Sequence, residues 1–203
     1  AEYATNQMKA LACATCHTTG GESKIPDITY AGEKRTQTWL TALIAGQHSE
    51  KTRPWLEARM PGFPSRSSLL ALGLAARAGA APEPDRNATR LPVTSHEVAV
   101  HGAKLSGAEG YACIACHDAG PQKALQVFEG QGPNLKAAAQ RLRYDYYQRW
   151  MHFPQRVAPA TIMPRYTKDR DYALLGNDEE GNAEAQFHAI WAWMNSLGNS
   201  STH

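Results

Sequence analysis

The sequence predicts an all-α protein built as two tandem domains. Three observations carry that expectation: a pentapeptide present twice, apolar residues that recur at helical spacing, and no convincing alternating strand pattern. The two copies are Cys13-Ala14-Thr15-Cys16-His17 and Cys113-Ile114-Ala115-Cys116-His117. In a chain of 203 residues such a repeat sets domains at 1–80 and 95–203, joined by a linker over 81–94.

In the first domain, Ala4, Met8, Leu11 and Ala12 give a short amphipathic helix leading into the first pentapeptide. A polar loop, Thr18 to Lys24, runs to Ile25-Pro26-Asp27-Ile28. A second helix spans about Arg35 to Ala45, with Trp39, Leu40, Leu43 and Ile44 on its apolar face and Gly46 as C-cap. Pro54 suits the first turn of a brief helix. Ser65 is placed to N-cap a last helix bearing Leu69, Leu70, Leu72 and Leu74, interrupted by Gly73.

The linker holds Pro82 and Pro84, a density that resists helix and sheet alike. In the second domain, Thr94 and Glu97 fit a capping box for a helix whose face carries Val98, Gly102 and Leu105. After the second pentapeptide a longer loop reaches Gly132-Pro133-Asn134-Leu135. A helical run from Leu135 to His152 then carries Leu142, Tyr146, Tyr147, Trp150 and Met151, and Pro154 ends it. Residues 165–182 form a polar insertion with no assigned role. The last helix is the clearest, with Phe187, Ile190, Trp191, Met194 and Leu197 at the i, i+3, i+4, i+7 positions.

Two cysteines three positions apart with histidine next are the attachment signature of a c-type haem. Both thiols add to the haem vinyl groups and the imidazole ligates iron. The competing readings are a zinc site, a redox pair and a disulfide. Zinc ribbons bring their cysteine pairs together from about 15–20 residues apart, whereas 96 residues separate Cys16 from Cys113. A redox pair opens a helix after a strand, and no such strand is legible. Haem in both copies is therefore the favoured reading. Cys13, Cys16, Cys113 and Cys116 are all the cysteines of the chain, so none remains for a structural disulfide.

The hydrophobic fraction of 42% and charged fraction of 20% are those of a globular protein. Domains this small gain an apolar centre from a covalent macrocycle. No apolar run is long enough to span a membrane. A net charge of +2 gives no argument for nucleic acid, and two haems would add up to four carboxylates. The chain opens at Ala1 without a basic and apolar leader. Because bacterial haem attachment happens outside the cytoplasm, a processed periplasmic protein or a domain of a longer chain is expected.

The order helix, Cys-x-x-Cys-His, proline-bearing loop, aromatic helix, Met-Pro, last helix resembles the class I cytochrome c fold, present twice. It is similar to two-domain dihaem cytochromes c and to cytochrome c domains fused to large bacterial dehydrogenases. The resemblance implies two covalent haem c groups, with His17 and His117 as proximal ligands and Met60 and Met163 as sixth ligands. Internal spacing agrees: Met60 follows His17 by 43 residues and Met163 follows His117 by 46, each with proline next. It also implies that Pro26 and Pro133 accept the proximal imidazole N–H, and that Trp39 either hydrogen-bonds a propionate or packs. Arg35, Arg141, Arg143 and Arg165 are placed either to pair with propionates or to stand on solvated helix faces. Histidines are the rival sixth ligands: His48 in the first domain, His101 or His152 in the second. The first domain departs from the pattern in lacking an aromatic on its last helix.

The function implied is single-electron transfer between a redox donor and a redox acceptor through two saturated haems. The competing class is a dihaem enzyme of peroxidase or thiosulfate-oxidising type with one open or unusually ligated haem. A third reading is the electron-exit domain of a larger dehydrogenase.

Overall fold

A computed structural model describes residues 1–18, 27–80, 94–126, 130–167 and 182–199. Among the described residues ten α-helices succeed one another: α1 (Glu2–Ala10), α2 (Ala31–Lys34), α3 (Gln37–Ala45), α4 (Ser67–Arg77), α5 (His96–Ser106), α6 (Cys113–Cys116), α7 (Ala138–Arg141), α8 (Tyr144–His152), α9 (Pro154–Val157) and α10 (Ala183–Asn199). Among the described residues no strand forms, and β pairing is limited to isolated bridges. The all-α expectation therefore holds for them. None of these helices is long and apolar enough to cross a membrane.

The chain divides into two compact units. The first comprises Ala1–Thr89 together with Arg141–Arg143, and the second Arg90–Gln140 with Tyr144–His203. The proline-bearing segment of the linker and most of the 165–182 insertion lie outside the described residues.

In the first unit Thr36 caps α3 by accepting from the Trp39 N–H at 3.3 Å, and Gly46 ends the helix in the left-handed region at φ +77°. Leu40 and Ile44 of α3 meet Leu70 and Ala71 of α4 and Ala4 of α1, with Met8, Leu11, Leu43, Phe63 and Leu74 around them. Each large aliphatic chain buried this way contributes about 1.5–3 kcal/mol. The contact of α1 with α4 passes through a glycine: a Cβ on Gly73 would stand 2.5 Å from that of Ala4. The residue that reads as an interruption of the last helix is thus where the first helix crosses it.

The second unit solves the same crossing from the opposite side. Gly102 of α5 lies against the backbone of Ala189 and Ile190 in α10, where any Cβ would overlap the Ala189 carbonyl. Phe187, Ile190, Trp191 and Met194 fill the core, as their spacing predicts. Tyr144 and Tyr147 of α8 pack on Trp191 with ring centroids 5.3 and 4.8 Å away, and the Tyr147 hydroxyl donates to the Phe187 carbonyl at 2.8 Å.

Four local expectations need correction. Ser95, not Thr94, caps α5, accepting from the Val98 N–H at 3.2 Å. Ser65 lies inside a 3₁₀ turn, Pro64–Arg66, so α4 begins two residues later and Leu69 faces outward. No helix forms at Pro54, where Lys51 instead hydrogen-bonds the Leu56 and Glu57 carbonyls. The run 135–152 is broken at Leu142, whose backbone pairs with Arg35. Pro154 opens α9 as well as standing just past the end of α8.

Adding one methyl at either glycine crossing forces a packed helix pair apart. Gly73→Ala and Gly102→Ala are each expected to destabilise their own unit by about 1–3 kcal/mol, read as a lower midpoint of chemical unfolding. Unchanged midpoints would show that these crossings are looser than described.

Candidate functional site

Both pentapeptides are entered through a strained residue. Ala12 and Ala112, each directly before the first cysteine, have φ of +52° and +53°, and they are the non-glycine residues with positive φ among those described. The left-handed turn swings the chain out of the preceding segment and starts one tight turn, Cys13–Thr15 or Cys113–Cys116. The backbone bonds then repeat. Thr15 and Ala115 each donate to the alanine carbonyl at 2.9 Å, and His17 and His117 donate to the Cys13 and Cys113 carbonyls at 2.9 and 3.0 Å. One turn therefore carries both thiols, with the histidine just past its end.

No two of the four cysteines are joined by a disulfide. Cys113 is buried, which pushes its thiol up to about 11 against the opposing hydrogen bond with Ser106. Burial likewise raises the Cys13 thiol.

The proximal side of the second site is built by the loop beyond His117. The imidazole Nδ1 donates to the Pro133 carbonyl at 2.7 Å. Gly132 donates to the Cys116 carbonyl at 2.9 Å and lies against the ring, where a Cβ would overlap it. Asn134 clamps the loop base: its Oδ1 accepts from Gly120 N–H at 3.0 Å and Lys136 N–H at 2.8 Å, and its Nδ2 donates to the Gly120 carbonyl at 2.8 Å. Asp118 accepts from the Ala124 N–H at 2.9 Å and from Lys123 at 3.0 Å, and these bonds hold its carboxyl below the ordinary carboxylate range.

Met163 is firmly seated. Its sulfur accepts from the Trp150 indole N–H at 2.8 Å, its carbonyl accepts from Gln155 at 2.7 Å, and its N–H donates to the Thr161 hydroxyl at 3.3 Å. The neighbouring Ile162 reaches toward Gly130 of the proximal loop, within 3.2 Å of where a Cβ would stand. Met60 is 39% exposed, on the segment between α3 and α4.

The remaining candidates are spread over both units. Pro26 lies outside the described residues. Arg35 stacks on Trp39, its guanidinium carbon 4.9 Å from the ring centroid. Arg141 is buried and Arg143 donates to the Gly32 and Arg35 carbonyls, both within the first unit. Arg165 covers the Phe153 ring at 4.6 Å. Of the rival histidines, His48 stacks on Trp39 at 4.7 Å and bonds its carbonyl, His101 is exposed on α5, and His152 packs edge-on against Phe187. Sequence reasoning missed Gly132, Asp118, Trp150 and Gln155; only the glycine, directly before the loop proline, carried a signal.

The residues suit a covalent haem. Two cysteines share a turn without being joined to each other, and the carbonyl on Nδ1 fixes Nε2 as the nitrogen that would ligate iron. The Met163 thioether, held by an indole N–H, would be a further donor.

The family model described as Cytochrome c matches residues 3–73, so the first unit carries a cytochrome c domain, which implies covalently bound haem c and a haem-based electron-transfer role. No curated protein and no solved structure gives a significant match.

Two substitutions probe this construction. A left-handed alanine costs about 1–2 kcal/mol, partly offset by the unfolded-chain entropy of glycine. Ala12→Gly and Ala112→Gly are therefore expected to stabilise the chain by up to about 1 kcal/mol, measured as a raised unfolding midpoint. Gly132→Ala must displace the His117 ring, and we expect it to destabilise the second unit by about 1–3 kcal/mol, read as a lower unfolding midpoint. An unchanged midpoint in that variant would contradict the packing of Gly132 on the ring.

Proposed function

We propose that the chain is a dihaem electron carrier, with one haem c on Cys13, Cys16 and His17 and another on Cys113, Cys116 and His117. The observation that carries the second site is the recurrence of the attachment turn one hundred residues on. Its left-handed alanine and its hydrogen bonds match those of the first. A third bond extends the match: the carbonyl after each histidine, Thr18 or Asp118, accepts from Ile28 or Leu135 at 3.1 or 2.8 Å. The two segments would fold alike because they have the same group to hold.

Haem iron, when bound, supplies a one-electron couple. The chain's residues set its surroundings. His17 and His117 supply the proximal nitrogen, and the Pro133 carbonyl makes the second imidazole a stronger donor. Met60 and Met163 supply the sixth ligands in this reading, and a thioether ligand raises the potential. With a histidine and a methionine to hold each iron, neither haem would leave a position for substrate. The partners are then a redox donor and a redox acceptor, a dehydrogenase among them, and the compartment is periplasmic, where covalent attachment takes place.

One observation favours a second reading for the first haem. Met60 is exposed, whereas Met163 has three hydrogen-bonded anchors. An easily displaced Met60 would open that haem to small ligands, as in a dihaem enzyme.

Haem content decides the proposal: a pyridine haemochrome assay against protein mass should give two haems per chain, and one would refute it. Met163→Ala should lower the potential of one haem and let its reduced form bind carbon monoxide stoichiometrically, with Met60→Ala doing the same at the other. Rapid carbon monoxide binding by the unmodified protein at one haem would favour the enzyme reading.

A further inference from the structure

The two attachment turns match, but the segments beyond them differ. The residue after His17 is Thr18, and the residue after His117 is Asp118. Asp118 is 5% exposed and its carboxylate gathers three donors from both arms of the loop. Lys123 Nζ at 3.0 Å and the Ala124 N–H at 2.9 Å come from the outgoing arm; Gln131 Nε2 at 3.3 Å comes from the returning arm. Its own carbonyl accepts from Leu135 N–H at 2.8 Å. Gln131 directly precedes Gly132, which lies on the imidazole, and Pro133, which takes its Nδ1–H.

We propose that Asp118 is a positioning residue for the second haem, tying both arms of the proximal loop to the residue beside His117 and so holding the Pro133 carbonyl on the imidazole. The inference rests on the reading of His117 as an iron ligand. Its chemical effect stems from that bond. A carbonyl kept short on Nδ1–H makes the imidazole more basic, which favours the oxidised iron and lowers the potential of this haem. The Lys123 ammonium contributes little to the brace, because its side chain is 82% exposed and screened by water. The Ala124 and Gln131 bonds, made by the well-buried carboxylate, are the ones that fix the loop.

The test uses the full chain with its haems attached, comparing Asp118→Thr, which copies the first unit, with Asp118→Asn and Gln131→Ala. Haem content is measured first; a single haem in the parent would refute the dihaem reading rather than this inference. With two haems present, spectroelectrochemical titration of Asp118→Thr should show one component shifted to higher potential and the other unmoved. The ferric low-spin g values of the shifted component should change as well, since they report axial-ligand orientation. Gln131→Ala, which leaves the charge in place, should shift the same component in the same direction by less. Asp118→Asn, which keeps an oxygen acceptor for the Ala124 N–H, should change the g values less than Asp118→Thr does. Unmoved potentials in both Asp118→Thr and Gln131→Ala would overturn the proposal. So would an Asp118→Asn shift as large as that of Asp118→Thr with g values unchanged in both, which would assign the effect to charge alone.

Discussion

Close approach of the first and last helix in each unit is the constraint on which the other contacts depend. A helix pair at that distance has no room for a Cβ at the crossing point, so one partner must offer glycine: Gly73 in the first unit, Gly102 in the second. Once the pair is fixed, the end of the first helix is fixed too. The attachment turn begins close by, three residues beyond Ala10 in the first unit and seven beyond Ser106 in the second. Core contacts from Leu40, Ile44 and Leu70, or from Phe187, Ile190 and Trp191, then build outward from the crossing.

The attachment turn adds a second constraint, carried by backbone strain. An alanine in the left-handed region costs about 1–2 kcal/mol in free energy, and the chain accepts it twice at the same place. The turn redirects the backbone so that two thiols and an imidazole project from one short segment. In the second unit the next loop then closes on the imidazole from Gly132 and Pro133. The order of construction is crossing, turn, loop, and each step positions the next.

Much of this is legible in the residues. The last helix can be read from Phe187, Ile190, Trp191 and Met194 because a helix buried along one stripe must repeat at 3.6 residues. The pentapeptides are legible because their chemistry fixes their spacing, and Pro133 is placed by resemblance, in agreement with its 2.7 Å contact with His117. Gly73 reads from sequence as an interruption, since its partner Ala4 has no distinctive chemistry and only the fold brings the two together. The break at Leu142 has no Gly or Pro to announce it; tertiary backbone pairing overrides good helix formers there. Asp118 looks like an ordinary polar loop residue because its partners, Ala124 and Gln131, are local in space through a turn that sequence does not specify.

The opposite placement of the two crossing glycines bears on how a repeated chain avoids folding onto itself wrongly. Compact units joined in one chain are prone to misassembly, with an element of one docking in the other. Here α1 carries Ala4 at its crossing and α10 carries Ala189, so a hybrid of these helices would meet methyl to backbone and be held apart. The complementary hybrid, α5 with α4, would set glycine against glycine and leave a void where a side chain is needed. Each first helix thus fits its own last helix better than its neighbour's, and a one-atom difference in who supplies the glycine works as a pairing code within the chain.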